Sequence, residues 1–339
     1  MICRNSEHPL LQPYRKLIGL SPPTQEFTPV HLADLNLRRD DKGQNGQATA
    51  SFSSYRLMVH ESVSLQGALM ATPAIDTETT AGSALRMTSA DVERFHRDGF
   101  VIVRQLADPG LCEQMLHATL DGLGRCIEPI EYEADLSYPG APGGREAAGG
   151  QTARRLQQAH ARHEVFTRWV ACPELIGRVR QLLQPSLVMT LAHHNSIMTK
   201  QPRYSSDTRW HQDIRYWSFA RPELVSVWLA LGEECEENGS LRLIPGSHRI
   251  DFARDRFDDL AFFRPDLPEN RALIETEVAA ELQAGDVLFF HCRTLHAAGR
   301  NRTDNPKFSV VFSYRAADNP PLPGTRSASL PELLFAPAE

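Results

Sequence analysis

Short β-rich runs, each ended by turn residues, fill the second half of the chain. They are LVMTLAHHNSIMTK, LVSVWLALG, GSLRLIPGSH, GDVLFFHCRTLHAAG and KFSVVFSYR, all within residues 187–315. Closely spaced short strands rich in β-branched and aromatic residues are typical of sandwiches and barrels. Because a helical block precedes them, the pattern predicts an α+β fold: a barrel-like double-sheet jelly roll with flanking helices.

The helical block has clear local boundaries. In TSADVERFHRDG, Thr88 and Asp91 form a capping-box pattern, and Gly99 is placed to end the helix. A second helix is predicted to begin after Asp108-Pro109, because proline is favoured in the first turn.

The composition divides the chain into three parts. Residues 1–86 are rich in Pro, Thr, Ser, Gln and Gly and keep no helical or strand period, so we expect a poorly ordered N-terminal extension. The folded domain is predicted to span residues 87–325. Residues 326–339 are assigned to a C-terminal tail.

Charge and cysteine content restrict the classes of partner. The 42 Asp and Glu residues outnumber the 36 Lys and Arg residues, which argues against a nucleic-acid or anionic-membrane binder. The six cysteines are scattered, the first residues lack an apolar signal segment, and no stretch approaches a membrane span. We therefore expect a cytoplasmic protein that acts on a small molecule and has no nucleic-acid or membrane partner.

A candidate metal site begins in TRWHQDIRYW. His211 and Asp213 are two residues apart, so on an extended strand both side chains project from the same face. Such pairs are common by chance, and this one gains weight from His296, which follows the apolar run GDVLFF and lies among small residues. The separation is too long for a zinc finger but suits two distant strands that meet at the mouth of one barrel. Two histidines and one carboxylate with open coordination positions are the ligand set of non-haem Fe(II) oxygenases.

His291 is the competing histidine. It precedes His296 by five residues, so on a continuous strand the two side chains would face opposite sides and only one could reach the metal. His296, at the strand end and beside small residues, is the better candidate.

The last β-rich run has two different faces. Alternation in KFSVVFSYR gives a polar face and an apolar face, with Lys307, Ser309, Val311, Ser313 and Arg315 on the first and Phe308, Val310, Phe312 and Tyr314 on the second. The polar face is predicted either to line a ligand cavity or to be the solvated side of a half-buried strand. A dicarboxylic co-substrate needs a cation and a hydroxyl donor, and Lys307 and Ser309 supply both.

Several fragments in order resemble one family. WHQD, RPELVSVWLALGEECEENGSLRLIPGSH and GDVLFFHCRTLHAAGRN resemble the phytanoyl-CoA dioxygenase family of 2-oxoglutarate-dependent oxygenases, over roughly residues 88–320. The resemblance implies a double-stranded β-helix in which His211, Asp213 and His296 bind Fe(II), with 2-oxoglutarate and O2 as co-substrates. The retained carboxylate of Asp213 favours hydroxylation or desaturation, because related halogenases lack it.

The resemblance also implies a co-substrate site. Lys307 stands eleven residues after the second ligand histidine, where the family usually has an arginine for the distal carboxylate of 2-oxoglutarate. Ser309 would be its hydroxyl partner, and Trp228 matches a tryptophan that contacts the co-substrate. Arg155 and Ser196 match further positions that line this site.

The lysine at position 307 departs from the family pattern. Lysine keeps the positive charge but lacks the bidentate guanidinium fork. Three other cations are therefore alternatives for the distal carboxylate: Arg300, Arg302 and Arg315.

The implied reaction oxidises an unidentified small molecule and releases succinate and CO2. Two other functions fit the sequence: a jelly-roll metalloenzyme that uses Zn(II) or Mn(II) as a Lewis acid, and a non-catalytic jelly-roll binding protein. The cations and aromatic residues around the metal motif are Arg209, Trp210, Arg215, Tyr216 and Trp217. They predict an anionic or amphipathic substrate, and a structural role for the aromatic residues is the alternative.

Overall fold

The computed structural model describes residues 85–337, and almost all of the predicted N-terminal extension lies outside this range. The first helix, α1 (Ser89–Asp98), begins and ends as predicted. The Thr88 hydroxyl accepts a hydrogen bond from the Asp91 N–H at 3.1 Å and donates one to the Asp91 carboxylate at 2.7 Å. Gly99 ends the helix in the left-handed region, with φ at 86°, which glycine adopts without a Cβ clash.

Replacing Thr88 by alanine is expected to destabilise the protein by about 1 kcal/mol, because the helix loses its N-terminal cap. Urea denaturation followed by circular dichroism measures the difference. Ser89→Ala, at the exposed first position of the same helix, is the matched control and is expected to have a smaller effect. Equal destabilisation by the two substitutions would contradict the capping role.

The other α-helices lie between the strands in sequence. They are α2 (Pro109–Gly124), α3 (Glu164–Val170), α4 (Pro173–Leu182) and α5 (Pro268–Ile274). None of the helices within residues 85–337 combines the length and the apolarity that crossing a membrane would need.

Two antiparallel sheets form the jelly roll. The larger sheet contains β1 (Phe100–Val103), β2 (Ile130–Tyr132), β3 (Ala153–Gln157), β4 (Leu187–Thr190), β5 (Asn195–Lys200), β7 (Leu224–Ala230), β10 (Val287–His291), β12 (Lys307–Ala316) and β13 (Glu332–Phe335). Its order is β1-β10-β7-β12-β5-β3-β2, with β4 beside β12 and β13 beside β4. The smaller sheet has the order β6-β11-β8-β9 and consists of β6 (Thr208–His211), β8 (Leu241–Leu243), β9 (Val278–Ala279) and β11 (His296–Ala298).

The strand β12 contributes to two cores. Its apolar face, with Phe312 and Tyr314 among its residues, packs against α1, α2, α3 and α4 in an outer core. On the other face, Val311 packs with Trp228 and with Leu241 of the smaller sheet, between the two sheets. All residues of β12 are buried, so its polar face is not a solvated side. This excludes the half-buried alternative, and of the polar face Lys307 lines a pocket.

The C-terminal segment differs from the predicted tail. Residues 332–335 form β13, and the Glu332 carboxylate pairs with the guanidinium of buried Arg315. A run of only four residues carries too little periodicity to predict a strand from the sequence. The ion pair also engages Arg315, one of the alternative cations for the co-substrate.

Candidate metal centre and co-substrate pocket

The predicted metal ligands lie on, or directly after, two neighbouring strands of the smaller sheet. His211 is the last residue of β6. Asp213 was expected on the same strand, but it lies in the 3-10 turn that follows. Gln212 between them is extended, with φ at −107° and ψ at 137°, so the two side chains still point the same way. His296 opens β11 and lies directly opposite His211.

The chain changes sheets between the two competing histidines. β10 ends at His291 in the larger sheet, and a tight turn, closed by the Thr294 N–H donating to the His291 carbonyl at 2.8 Å, leads to His296 in the smaller one. The sequence suggested a single strand because the apolar run gives no sign of this turn. His291 lies beside Phe95 and His248, outside the cluster.

The cluster is compact and buried. Asp213 Oδ1 lies 3.7 Å from His211 Nε2 and 3.5 Å from His296 Nε2, and all candidate ligand atoms are within 4.8 Å of one another. Nδ1 of His211 hydrogen-bonds to the Arg209 carbonyl at 2.8 Å, and Nδ1 of His296 to the Thr294 carbonyl at 3.0 Å. These bonds fix both rings and leave each Nε2 available for a cation.

The electrostatics of the cluster suit a metal. Burial holds the pKa of His211 well below its usual range, and the neighbouring His296 and Arg215 lower this pKa further. A neutral imidazole is the form that binds a metal ion. Two imidazoles and one carboxylate, with further positions left open, fit non-haem Fe(II).

His194 supports the carboxylate and was not predicted. Its Nε2 lies 3.5 Å from Asp213 Oδ1, and its Nδ1 lies 3.2 Å from the Ser226 hydroxyl. Ser226 in turn donates to Asp213 Oδ2 at 3.2 Å. Partners of this kind orient metal-binding carboxylates. The only sequence signal was the histidine pair in LAHHN before β5.

A pocket connects the metal cluster with solvent. Its lining residues include Lys200 and Lys307, both buried, and the exposed residues Arg326 and Tyr216, the latter 51% exposed. The polar face of β12 extends from the Ser313 hydroxyl, 3.2 Å from the hydroxyl of Ser226, to Lys307, so Lys307 is far along the strand from Asp213.

Three predicted co-substrate contacts meet around an internal carboxylate. Glu234, which is 1% exposed, accepts hydrogen bonds from Lys307 Nζ at 2.8 Å, from the Ser309 hydroxyl at 2.6 Å and from Trp228 Nε1 at 2.9 Å. Lys307 also donates to Ser309 at 3.3 Å. The donors that the sequence suggested for 2-oxoglutarate are therefore brought together, but they bind the protein's own carboxylate.

The remaining predicted contacts are more dispersed. Arg155 lines the pocket, but its guanidinium pairs with both oxygens of Glu131 at 2.8 Å. Ser196 is buried within β5, opposite Val311, and is not among the pocket-lining residues. The alternative cations Arg300 and Arg302 are surface residues that face Asp207 and Glu236.

Comparison with known proteins places the chain among oxygenases. The family model of phytanoyl-CoA dioxygenase (PhyH) matches residues 95–309. An ectoine dioxygenase of Streptomyces avermitilis is 26% identical over 249 residues, which cover 69% of this chain and 80% of that protein. An L-proline trans-4-hydroxylase of Streptomyces griseoviridis is 24% identical over 249 residues, covering 67% of this chain and 86% of that protein.

Solved structures share the fold. EctD from S. alaskensis, solved with 2-oxoglutarate and 5-hydroxyectoine, superimposes with a TM-score of 0.58 at 21% identity and covers 70% of this chain and 78% of that one. The epimerase SnoN, solved with Fe3+, alpha ketoglutarate and nogalamycin RO, gives a TM-score of 0.56 at 23% identity, with coverages of 77% and 96%. The predicted jelly-roll fold is thereby confirmed.

The family match covers more than half of the chain, including both histidines and the aspartate of the cluster. The prediction of Fe(II), 2-oxoglutarate and O2 as cofactor and co-substrates is confirmed at the level of the family. The chain belongs to the phytanoyl-CoA dioxygenase family and is a 2-oxoglutarate-dependent non-haem iron dioxygenase.

Proposed function

We propose that the protein hydroxylates a small molecule that carries an anionic group, and that this oxidation is coupled to the conversion of 2-oxoglutarate into succinate and CO2. The proposed ligand set is His211, Asp213 and His296. The substrate class rests on the guanidinium of Arg215, which lines the pocket and forms no ion pair with a carboxylate among residues 85–337. The relatives named for ectoine and L-proline act on small molecules, which supports a substrate of this size.

Arg215 is held by aromatic rings. Its Cζ lies 4.0 Å from the centroid of the Phe262 ring and 4.5 Å from that of the Tyr216 ring. Nη2 is 3.4 Å from the Tyr138 hydroxyl, whereas buried Nη1 has no hydrogen-bond partner in the described part of the chain. A desolvated N–H without a partner costs free energy until an acceptor binds it. A substrate carboxylate or phosphate is the acceptor that fits a guanidinium edge best.

The location of Arg215 brings this acceptor close to the metal. Arg215 follows Asp213 by two residues, and its charge contributes to the low pKa of His211. His193 and Trp217, whose rings stack at 4.9 Å, line the same pocket and offer an apolar surface to the body of a substrate.

Bound iron, with 2-oxoglutarate and O2, supplies the oxidation of a substrate C–H bond. The protein itself contributes by positioning the metal and the substrate. The two histidines and Asp213 hold the metal, Arg215 orients the substrate, and the aromatic surface excludes water from the reacting carbon.

A substrate screen tests the proposal. Iron-loaded protein is incubated with 2-oxoglutarate, O2 and pairs of compounds in which a carboxylate or phosphate is matched with its neutral amide or ester. We expect the anionic member of a pair to stimulate succinate formation and to gain one oxygen atom by mass spectrometry. A preference for the neutral members would contradict the anionic class, and substrate conversion without O2 would indicate Lewis-acid chemistry instead.

Replacing Arg215 by leucine is expected to raise the KM for the anionic substrate about 10- to 100-fold, because one charge-assisted hydrogen bond is lost. Any succinate formation that proceeds without substrate is expected to persist, since the metal ligands are intact. Arg125→Leu, on an exposed helical surface, is the matched control. An unchanged KM in the Arg215 variant would remove Arg215 from the substrate site.

A further inference from the structure

Lysine is rare in this chain, and two of its lysines lie opposite each other on buried strands. Lys200 and Lys307 are the lysines of residues 85–337, and all other cations of this range except histidine are arginines. Both lysines are buried, and they pair directly across β5 and β12. Like charges directly opposite on one face of a sheet repel each other, and burial strengthens the repulsion. Such a pair requires compensation by anions.

Glu234 compensates only one member of the pair. It binds Lys307, as described above, whereas Lys200 Nζ donates to two backbone carbonyls, of Ser206 and Gly299, each at 2.7 Å. No carboxylate of the described residues lies within ion-pair distance of Lys200. An ammonium has three N–H donors, so one N–H of Lys200 stays available. Of these two pocket-lining lysines, Lys200 is therefore the one whose ammonium has no carboxylate contact among the described residues.

We propose that Lys200, not Lys307, binds the distal carboxylate of 2-oxoglutarate, and that Glu234 holds Lys307 as a structural ion pair. This inference rests on the proposed function only in requiring 2-oxoglutarate as the co-substrate. Glu234 already occupies the donors of Lys307, Ser309 and Trp228, and its charge would repel a second carboxylate at the same position. Lys200, opposite Lys307 on the neighbouring strand, lines the same pocket and has no carboxylate contact among the described residues.

The titration of Lys200 agrees with an anion site. Burial lowers the pKa of Lys200 to about 7. The charged groups that act on it are Arg154, Glu133, Lys307 and Asp207, of which the two cations lower the pKa and the two carboxylates raise it. A bound carboxylate favours the ammonium form, so binding of 2-oxoglutarate at pH 8 is expected to take up a proton.

Calorimetry on the Mn(II)-loaded protein tests the assignment without turnover. Lys200→Met is expected to weaken 2-oxoglutarate binding about 10- to 100-fold. The affinity for 2-oxopentanoate, in which a methyl group replaces the distal carboxylate, should be unchanged. Proton uptake, measured in two buffers of different ionisation enthalpy, should disappear in this variant. Lys200→Arg keeps the charge and is expected to retain a preference for 2-oxoglutarate.

A second variant separates the two lysines. Glu234→Gln combined with Lys307→Met removes the ion pair without leaving a buried charge, and its affinity for 2-oxoglutarate should stay close to that of the unsubstituted protein. Loss of affinity for 2-oxoglutarate in this double variant would overturn the assignment, whether or not Lys200→Met also loses affinity. If the unsubstituted protein itself does not prefer 2-oxoglutarate to 2-oxopentanoate, the proposed function fails as well. If that preference exists but survives Lys200→Met, only the inference fails.

Discussion

Asp213→Ala protein is expected to fold but to lose metal-dependent succinate formation. Substitution of residues that merely orient metal ligands typically costs 10- to 100-fold in metal affinity or activity, so the loss of a ligand is expected to exceed about 100-fold. The carboxylate is the single anionic group of the cluster, and two neutral imidazoles alone hold a divalent cation weakly. Metal content after dialysis and succinate release with Fe(II), 2-oxoglutarate and O2 measure the two effects.

Asp266→Ala is the matched control, because Asp266 is an exposed carboxylate outside the cluster. It should keep both the metal and the activity, and equal unfolding midpoints would show that neither substitution disrupts the fold. If Asp213→Ala released succinate at the rate of the unsubstituted protein, Asp213 would not be a metal ligand. Activity that needs Zn(II) or Mn(II) but not O2 would favour the Lewis-acid alternative, and ligand binding without any turnover would favour a binding protein.

Features with strong local signals could be predicted from the sequence. The cap at Thr88 and the stop at Gly99 depend on residues within one helix, so neighbouring sequence is sufficient to define them. Alternation in β12 predicted which side chains share a face, because the period of two follows from strand geometry alone, and Lys307 is the member of the polar face that lines the pocket. The jelly-roll fold was predicted from the number and spacing of the strands.

The partner of Lys307 could not be predicted. Glu234 stands in GEECEEN, where Glu233, Glu236 and Glu237 are exposed, and a run of this kind is usually solvated. An antiparallel bridge between Glu234 and Leu282 fixes the backbone so that this one side chain points inward. That bridge joins residues that are distant in sequence, so the residues around Glu234 do not predict it.

The role of Lys200 depends on register. Its position opposite Lys307 follows from the pairing of β5 with β12, and a slip of one residue would turn the side chain to the other face. Strand register is specified by packing across the whole sheet. The sequence therefore predicted a cationic co-substrate site at Lys307, but it gave no sign of the contact between Lys307 and Glu234.

Lys307→Met is expected to destabilise the protein by about 3–5 kcal/mol, because it leaves Glu234 buried with an uncompensated charge. The Trp228 and Ser309 donors remain but do not neutralise the carboxylate. Chemical denaturation at pH 8 measures the loss.

The double variant of Glu234→Gln and Lys307→Met completes a thermodynamic cycle. It removes both charges and keeps a side chain that can accept from Trp228 and Ser309, so we expect it to recover most of the stability lost in Lys307→Met. A coupling free energy near zero would mean that Glu234 and Lys307 are not an ion pair in solution. In that case Lys307 would be free to bind 2-oxoglutarate, and the calorimetry of Lys200→Met would be expected to show little effect. Denaturation and calorimetry therefore test independently whether Glu234 pairs with Lys307 and leaves Lys200 to bind 2-oxoglutarate.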